Sequence, residues 1–220
     1  MLRSSRAFRR AAAHGLAGAL LCAPGTFAQE TLIRVRDAAG APVEYAVATW
    51  TSSSVAAAAE PGRAVIVQAD QEFHPPVTLI PVGSTIAFPN EDTVAHHVYS
   101  FSPAKKFDLP LYTGESPQVV QFDKPGVVAL GCNIHDWMTA YVFVTDTRWA
   151  ALSDTNGVAR LADIPREPGE LRVWHPRLRG APVSRTIQFD GAAPVDIELT
   201  LRPEVKRRGA PMPGGRGGYR

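Results

Sequence analysis

Between Gly62 and Val144 the chain is a succession of short apolar runs: "AVIVQA", "VTLIPV", "STIAFPN", "HHVYSFS", "VVQFD", "VVALGC" and "TAYVFV". Each is closed off by Gly, Pro or Asp, and their Val, Ile, Thr and Phe content suits a pleated, half-buried backbone. Period-two alternation places Ile86 with Phe88, Val128 with Leu130 and Cys132, and Ala140 with Val142 and Val144, on common faces. The segment predicts an all-β Greek-key sandwich or barrel, with "PAKKFDLPLYTGESP" as a long irregular connection. Nineteen Pro and eighteen Gly in 220 residues leave little room for periodic long helices anywhere.

Two flanking pieces have another rhythm. "LIRVRDAAGAPVEYAVATW", residues 32–50, reads as a strand, an Asp-x-x-Gly turn at Asp37–Gly40, and a second alternating strand. "ALSDTNGVARLADIPREPGELRVWHP", residues 151–176, repeats that turn at Asp154–Gly157, and "SRTIQFDGAAPVDIELTL" adds more strand. These pieces resemble the transthyretin-like, carboxypeptidase-regulatory sandwich modules. The expected organisation is a central domain over residues 59–146 inserted into a smaller, discontinuous outer β-sandwich of residues 29–58 with 147–202. The alternative makes residues 29–58 edge strands of the central domain. That would leave the C-terminal piece as a domain of about 55 residues, too small to bury much core alone.

Residues 1–28 read as a secretory signal peptide. Arg3, Arg6, Arg9 and Arg10 form a basic region, "AAAHGLAGALL" is apolar but too short to span a bilayer, and "TFA" precedes a cleavage point before Gln29. Arg9-Arg10 fits a twin-arginine signal poorly, and Leu21 before Cys22 argues against lipidation. The expected setting is therefore periplasmic, with no membrane span in the mature form. Cleavage leaves Cys132 as the one remaining cysteine, and a lone thiol in an oxidising compartment is a liability unless it is buried or bound. The formal charge of +2 comes from the two ends of the chain: the signal carries four arginines, and residues 203–220, a basic Gly/Pro-rich tail expected to be disordered, carry a net +4. The body between them is net −6, so nothing points to nucleic acid.

"GCNIHDWMTAYVFV" sets Cys132, His135 and Met138 three residues apart. Singly, they fit an inert core thiol, a surface imidazole and a core filler. Together they supply three of the four donors of a blue-copper site: a thiolate, two imidazoles and a weak axial thioether. The body of the chain has no other methionine between Met1 and Met212. "PNEDTVAHHVYS" offers the second imidazole from His96 or His97. Neighbours on a strand face opposite ways, so only one can turn to the metal. Zinc competes for Cys and His, but methionine suits it poorly. His74 and His175 each precede proline and read as loop residues outside the site. Trp137 reads as a cover that limits water access. No phosphate loop, nucleophile triad or paired-carboxylate site is apparent.

The order "VGSTIAFPNEDTVAHHV", some thirty-five residues, then "GCNIHDWMTAYVFV" resembles the cupredoxin superfamily, with the short Cys-His-Met loop of amicyanin. The chain as a whole is similar to secreted proteins named for methylamine utilization. The resemblance implies a plastocyanin-like Greek-key fold and one copper ion cycling between Cu(I) and Cu(II), held by His96, Cys132, His135 and Met138. His96 is the implied ligand because it lies six residues after Asn90. His97 stands where the family often has an asparagine that braces the cysteine loop, which puts that hydrogen bond in doubt. The implied role is a one-electron carrier, not an enzyme, with His135 as electron port and a redox partner such as a c-type cytochrome or a periplasmic dehydrogenase. A copper-holding or assembly factor, or an envelope interaction module with an ancillary cupredoxin domain, are the alternatives.

Overall fold

A computed structural model describes residues 30–54, 59–114, 118–189 and 193–204. The signal peptide and all but the first two residues of the tail lie outside them. Seventeen strands follow one another with no helix among the described residues. They are β1 (Glu30–Asp37), β2 (Val47–Ser52), β3 (Arg63–Val65), β4 (Val67–Ala69), β5 (Glu72–His74), β6 (Val77–Pro81), β7 (Thr85–Phe88), β8 (His96–Ser102) and β9 (Lys105–Tyr112). Then come β10 (Gln118–Gln121), β11 (Gly126–Gly131), β12 (Thr139–Thr145), β13 (Ala150–Leu152), β14 (Val158–Ala162), β15 (Pro168–Trp174), β16 (Val183–Gln188) and β17 (Val195–Leu199).

The middle of the chain builds a five-stranded sheet, β6-β12-β11-β8-β9, a three-stranded sheet, β10-β7-β3, and the small β4-β5 hairpin. Ile86 and Phe88 from one sheet meet Val98, Val128, Leu130, Ala140 and Val142 from the other in a common core, all at most 1 % exposed. Burying side chains of this size contributes about 1.5–3 kcal/mol each, which is why the alternation read from the sequence sets the register. Cys132 and Met138 lie in this core at the end where β11 leaves and β12 begins.

One sequence expectation is corrected. Lys105–Tyr112, read as part of an irregular connection, is a strand, β9, paired to β8 along the sheet edge. Phe107, Leu109 and Tyr112 pack against the core while Lys106 and Asp108 face outward. Pro110 masks the pattern in the sequence. It is tolerated because β9 is an edge strand and the register shifts opposite His96 to Val98.

The outer strands close on each other. β1 lies between β14 and β17, and β2 between β13 and β15, so each N-terminal strand pairs with strands more than a hundred residues away. A second core, with Trp50, Ile33, Leu161, Leu171 and Ile197 at 2 % exposure or less, fills the space between these sheets. The two Asp-x-x-Gly turns share one construction. Asp37 Oδ1 accepts the amides of Ala39 and Ala41, and Asp154 Oδ1 those of Asn156 and Val158. Trp174, at the end of β15, sits against Tyr141 and Phe143 of β12, with ring centroids 5.9 and 5.6 Å apart, and joins the outer strands to the five-stranded sheet.

Candidate metal centre

His96 opens β8, and the loop before it is tightly held. Asn90, 2 % exposed, donates from Nδ2 to the carbonyls of Val94 and Tyr112, both at 2.9 Å, and accepts the Asp92 amide at 3.0 Å. Tyr112 in turn donates to the Phe88 carbonyl at 2.6 Å and accepts Gln68 Nε2 at 2.6 Å; burial pushes its phenol up to about 12. The chain from β7 to β8 is thus tied to β9 before His96 begins.

The other candidate donors come from the loop between β11 and β12. The Met138 amide donates to the His135 carbonyl at 2.9 Å, closing a tight turn, and the Ile134 amide points at Cys132 Sγ, 3.4 Å away. One nitrogen of His96, one of His135 and the Cys132 sulfur all lie within 4.8 Å of one another. Among the described residues this is the one group of three or more His, Cys, Asp or Glu donors so arranged. The His96 and His135 rings are 5.1 Å apart at 65°. Cys132 is 3 % exposed and His96 fully buried.

His96 Nε2 is committed to Asp92 Oδ2 at 2.6 Å, while Nδ1 of His96 and Nδ1 of His135 are buried without a hydrogen-bond partner. A buried polar atom with no partner is costly unless a ligand completes it. Burial and the neighbouring His96 hold the His135 pKa below its ordinary value, so its ring keeps a free lone pair near neutral pH. Burial opposes the Asp92 carboxylate charge, but hydrogen bonds from His96 and from the Gln71 and Asp70 amides outweigh it and lower its pKa. Two imidazoles beside a thiol form a borderline-to-soft set that fits copper.

Met138 is completely buried in the same core cluster as Cys132. His97 faces the other way: its Nε2 meets Asp108 Oδ1 at 2.5 Å, and its ring stacks toward Tyr99 on the outer face. Trp137 lies beside His135, ring centroids 5.1 Å apart, and its indole N–H donates to the Gln71 carbonyl at 3.1 Å. His74 is exposed beside Glu72 at the end of β5. His175 is buried near the outer strands, its Nδ1 accepting the Arg177 amide. Asp92 and Gln71 were missed in the sequence. Asp92 stands next to Glu91 with nothing local to favour it, and Gln71 lies 25 residues before His96.

Solved structures similar to this chain include a purple cupredoxin from Nitrosopumilus maritimus, 26 % identical over 37 % of this chain and 99 % of its own, with a TM-score of 0.35. A point mutant of amicyanin in a Cu(I) form is 24 % identical over 44 % of this chain and 98 % of its own, with a TM-score of 0.36. A copper-containing nitrite reductase from Thermus scotoductus is also similar, at 24 % identity and a TM-score of 0.36, over 43 % of this chain but only 24 % of that enzyme. Each of these likenesses covers less than half of this chain. No protein-family profile matches the chain, and no curated protein does.

Proposed function

We propose that this protein is a periplasmic blue-copper protein that carries single electrons, with His96, Cys132, His135 and Met138 as ligands. The observation that carries this reading is the convergence of two imidazole nitrogens and a thiol within 4.8 Å, with both Nδ1 atoms otherwise unpartnered. Copper, when bound, supplies a one-electron couple between Cu(I) and Cu(II) at such a site.

The chain's own residues account for the rest. His96 and Cys132 stand at the ends of paired strands, so their donor atoms have little freedom to move. The Ile134 amide aimed at the Cys132 sulfur withdraws charge from it, a standard means of tuning a thiolate. Met138, fully buried in the same core as Cys132, would serve as the weak axial donor. Ile134, 53 % exposed, and Trp137, 37 % exposed, flank His135 and make an apolar rim where a redox protein can dock. The net negative body would draw a basic partner, such as a c-type cytochrome or a periplasmic dehydrogenase. In this reading residues 59–146 are the copper domain, residues 29–58 with 147–202 are the outer module, and no catalytic step takes place on the chain.

The test is the spectrum of the Cu(II)-loaded protein. An intense thiolate-to-copper absorption in the visible, abolished in Cys132→Ser, supports the reading. Colourless binding, or colour retained in Cys132→Ser, removes it. Copper uptake without electron exchange with any c-type cytochrome would favour a copper-holding role.

A further inference from the structure

The tip of the β4-β5 hairpin touches both halves of the candidate centre. Asp70 and Gln71 form that tip with φ of 54° and 57°, a left-handed turn built without glycine. Both amides point at one carboxylate: Asp70 N–H donates to Asp92 Oδ1 at 2.8 Å and Gln71 N–H to Asp92 Oδ2 at 2.9 Å. Oδ2 also receives His96 Nε2 at 2.6 Å. On its other side, the Gln71 carbonyl accepts the Trp137 indole N–H at 3.1 Å, and Trp137 lies against His135. Gln71 is therefore bonded through its N–H to the carboxylate that holds His96, and through its C=O to the loop carrying Cys132 and His135.

We propose that Asp92 and the Asp70–Gln71 turn form a clamp that fixes the His96 tautomer and holds the two donor-bearing loops in register. Asp92 is a positioning residue, and its proposed role rests on the copper reading only in what the clamp positions. An ionised carboxylate accepts and never donates, so all three hydrogens aimed at Asp92 belong to its partners. The His96 proton then sits on Nε2, and Nδ1 presents its lone pair to Cys132 and His135. In Asp92→Asn one acceptor oxygen becomes an NH2 group. In the place of Oδ1 that group meets the Asp70 amide, and in the place of Oδ2 it meets the Gln71 amide and His96 Nε2–H together, donor against donor. The turn amides cannot yield in either case, whereas His96 can relieve its own conflict by moving its proton to Nδ1, which blocks the lone pair the metal needs.

Two measurements on the full chain test this. Long-range ¹H–¹⁵N spectra of the metal-free protein at about pH 8, above the ordinary imidazole range, read the His96 tautomer with no metal involved. The expected result is Nε2–H in the wild type and a shift toward Nδ1–H in Asp92→Asn. Titration with Co(II) should show affinity falling about 10–100-fold in Asp92→Asn, the usual loss when a ligand's hydrogen-bond partner is changed. Asp92→Asn with an unchanged tautomer and unchanged Co(II) affinity overturns the clamp. So does a wild type protonated at Nδ1, which decides the matter even if Asp92→Asn fails to fold. Trp137→Phe, which keeps the ring and loses the N–H, should also weaken Co(II) binding, and an unchanged affinity there overturns the link between the loops. A wild type that binds neither Co(II) nor copper ends the copper reading, while the tautomer still judges the clamp.

Discussion

The ring of Tyr99 stands where a side chain at position 131 would go: a Cβ built on Gly131 would lie 2.8 Å from Tyr99 Cζ and Oη. Gly131 is the last residue of β11 and Cys132 follows it, so crowding here acts on the thiol's own strand end. The atoms in the way are the far end of a side chain that can swing outward. Gly131→Ala should therefore cost only about 1 kcal/mol, measured by urea unfolding, and should perturb the visible spectrum of the copper-loaded protein. Gly157 is the contrast. A Cβ there would lie 2.4 Å from the Val35 backbone oxygen, and φ is +74°. Backbone cannot step aside, so Gly157→Ala should lose about 2 kcal/mol or more and leave any copper spectrum unchanged.

The adjacent histidines predict opposite outcomes. His96 is fully buried and belongs to the three-donor group, while His97 is paired to Asp108 on the other face of the sheet. His96→Ala should abolish specific copper binding, since it removes a donor. His97→Ala should retain copper within about threefold and lose well under 1 kcal/mol, because its partner is exposed. Isothermal titration of both variants with Cu(II) checks the contrast.

Trp174 joins the outer strands to the five-stranded sheet through Tyr141 and Phe143. Trp174→Ala removes both ring contacts and should cost about 1–3 kcal/mol. Because no described residue belongs to both core clusters, calorimetry of this variant should resolve two unfolding transitions where the wild type shows one. A single transition at lower temperature would mean that the cores are coupled elsewhere.

His175 sets an acid limit on stability. Burial, helped by the positive charge of Arg177, lowers its pKa to about 4, while a backbone hydrogen bond involving Glu44 opposes the shift. The unfolded chain titrates near the ordinary value of about 6.5. Between those values the unfolded state binds a proton that the native state refuses, so stability is complete above about pH 6.5 and falls as the pH drops toward 4. With solvent screening allowed for, the loss from this one group should be about 1–2 kcal/mol. His175→Gln should flatten that part of the stability-versus-pH curve.

What the sequence by itself determined is whatever repeats over a few residues. Alternation in Ile86 with Phe88 and in Val128 with Leu130 and Cys132 chose the buried faces, because a strand's side chains change side at every residue. The Asp-x-x-Gly turns needed only their own four residues and the one that follows. Cys132, His135 and Met138 were legible as a set because a single loop carries them. Only the tertiary structure decided the rest. Which of His96 and His97 looks inward depends on the pairing of β8 with β9 and β11, and Pro110 hid β9 because a strand edge forgives a missing donor that a local pattern does not. The clamp on His96 joins Asp70, Gln71, Asp92 and Trp137, residues as far as 67 positions apart. No window of sequence contains them together, since the packing of two sheets brings them within hydrogen-bond reach.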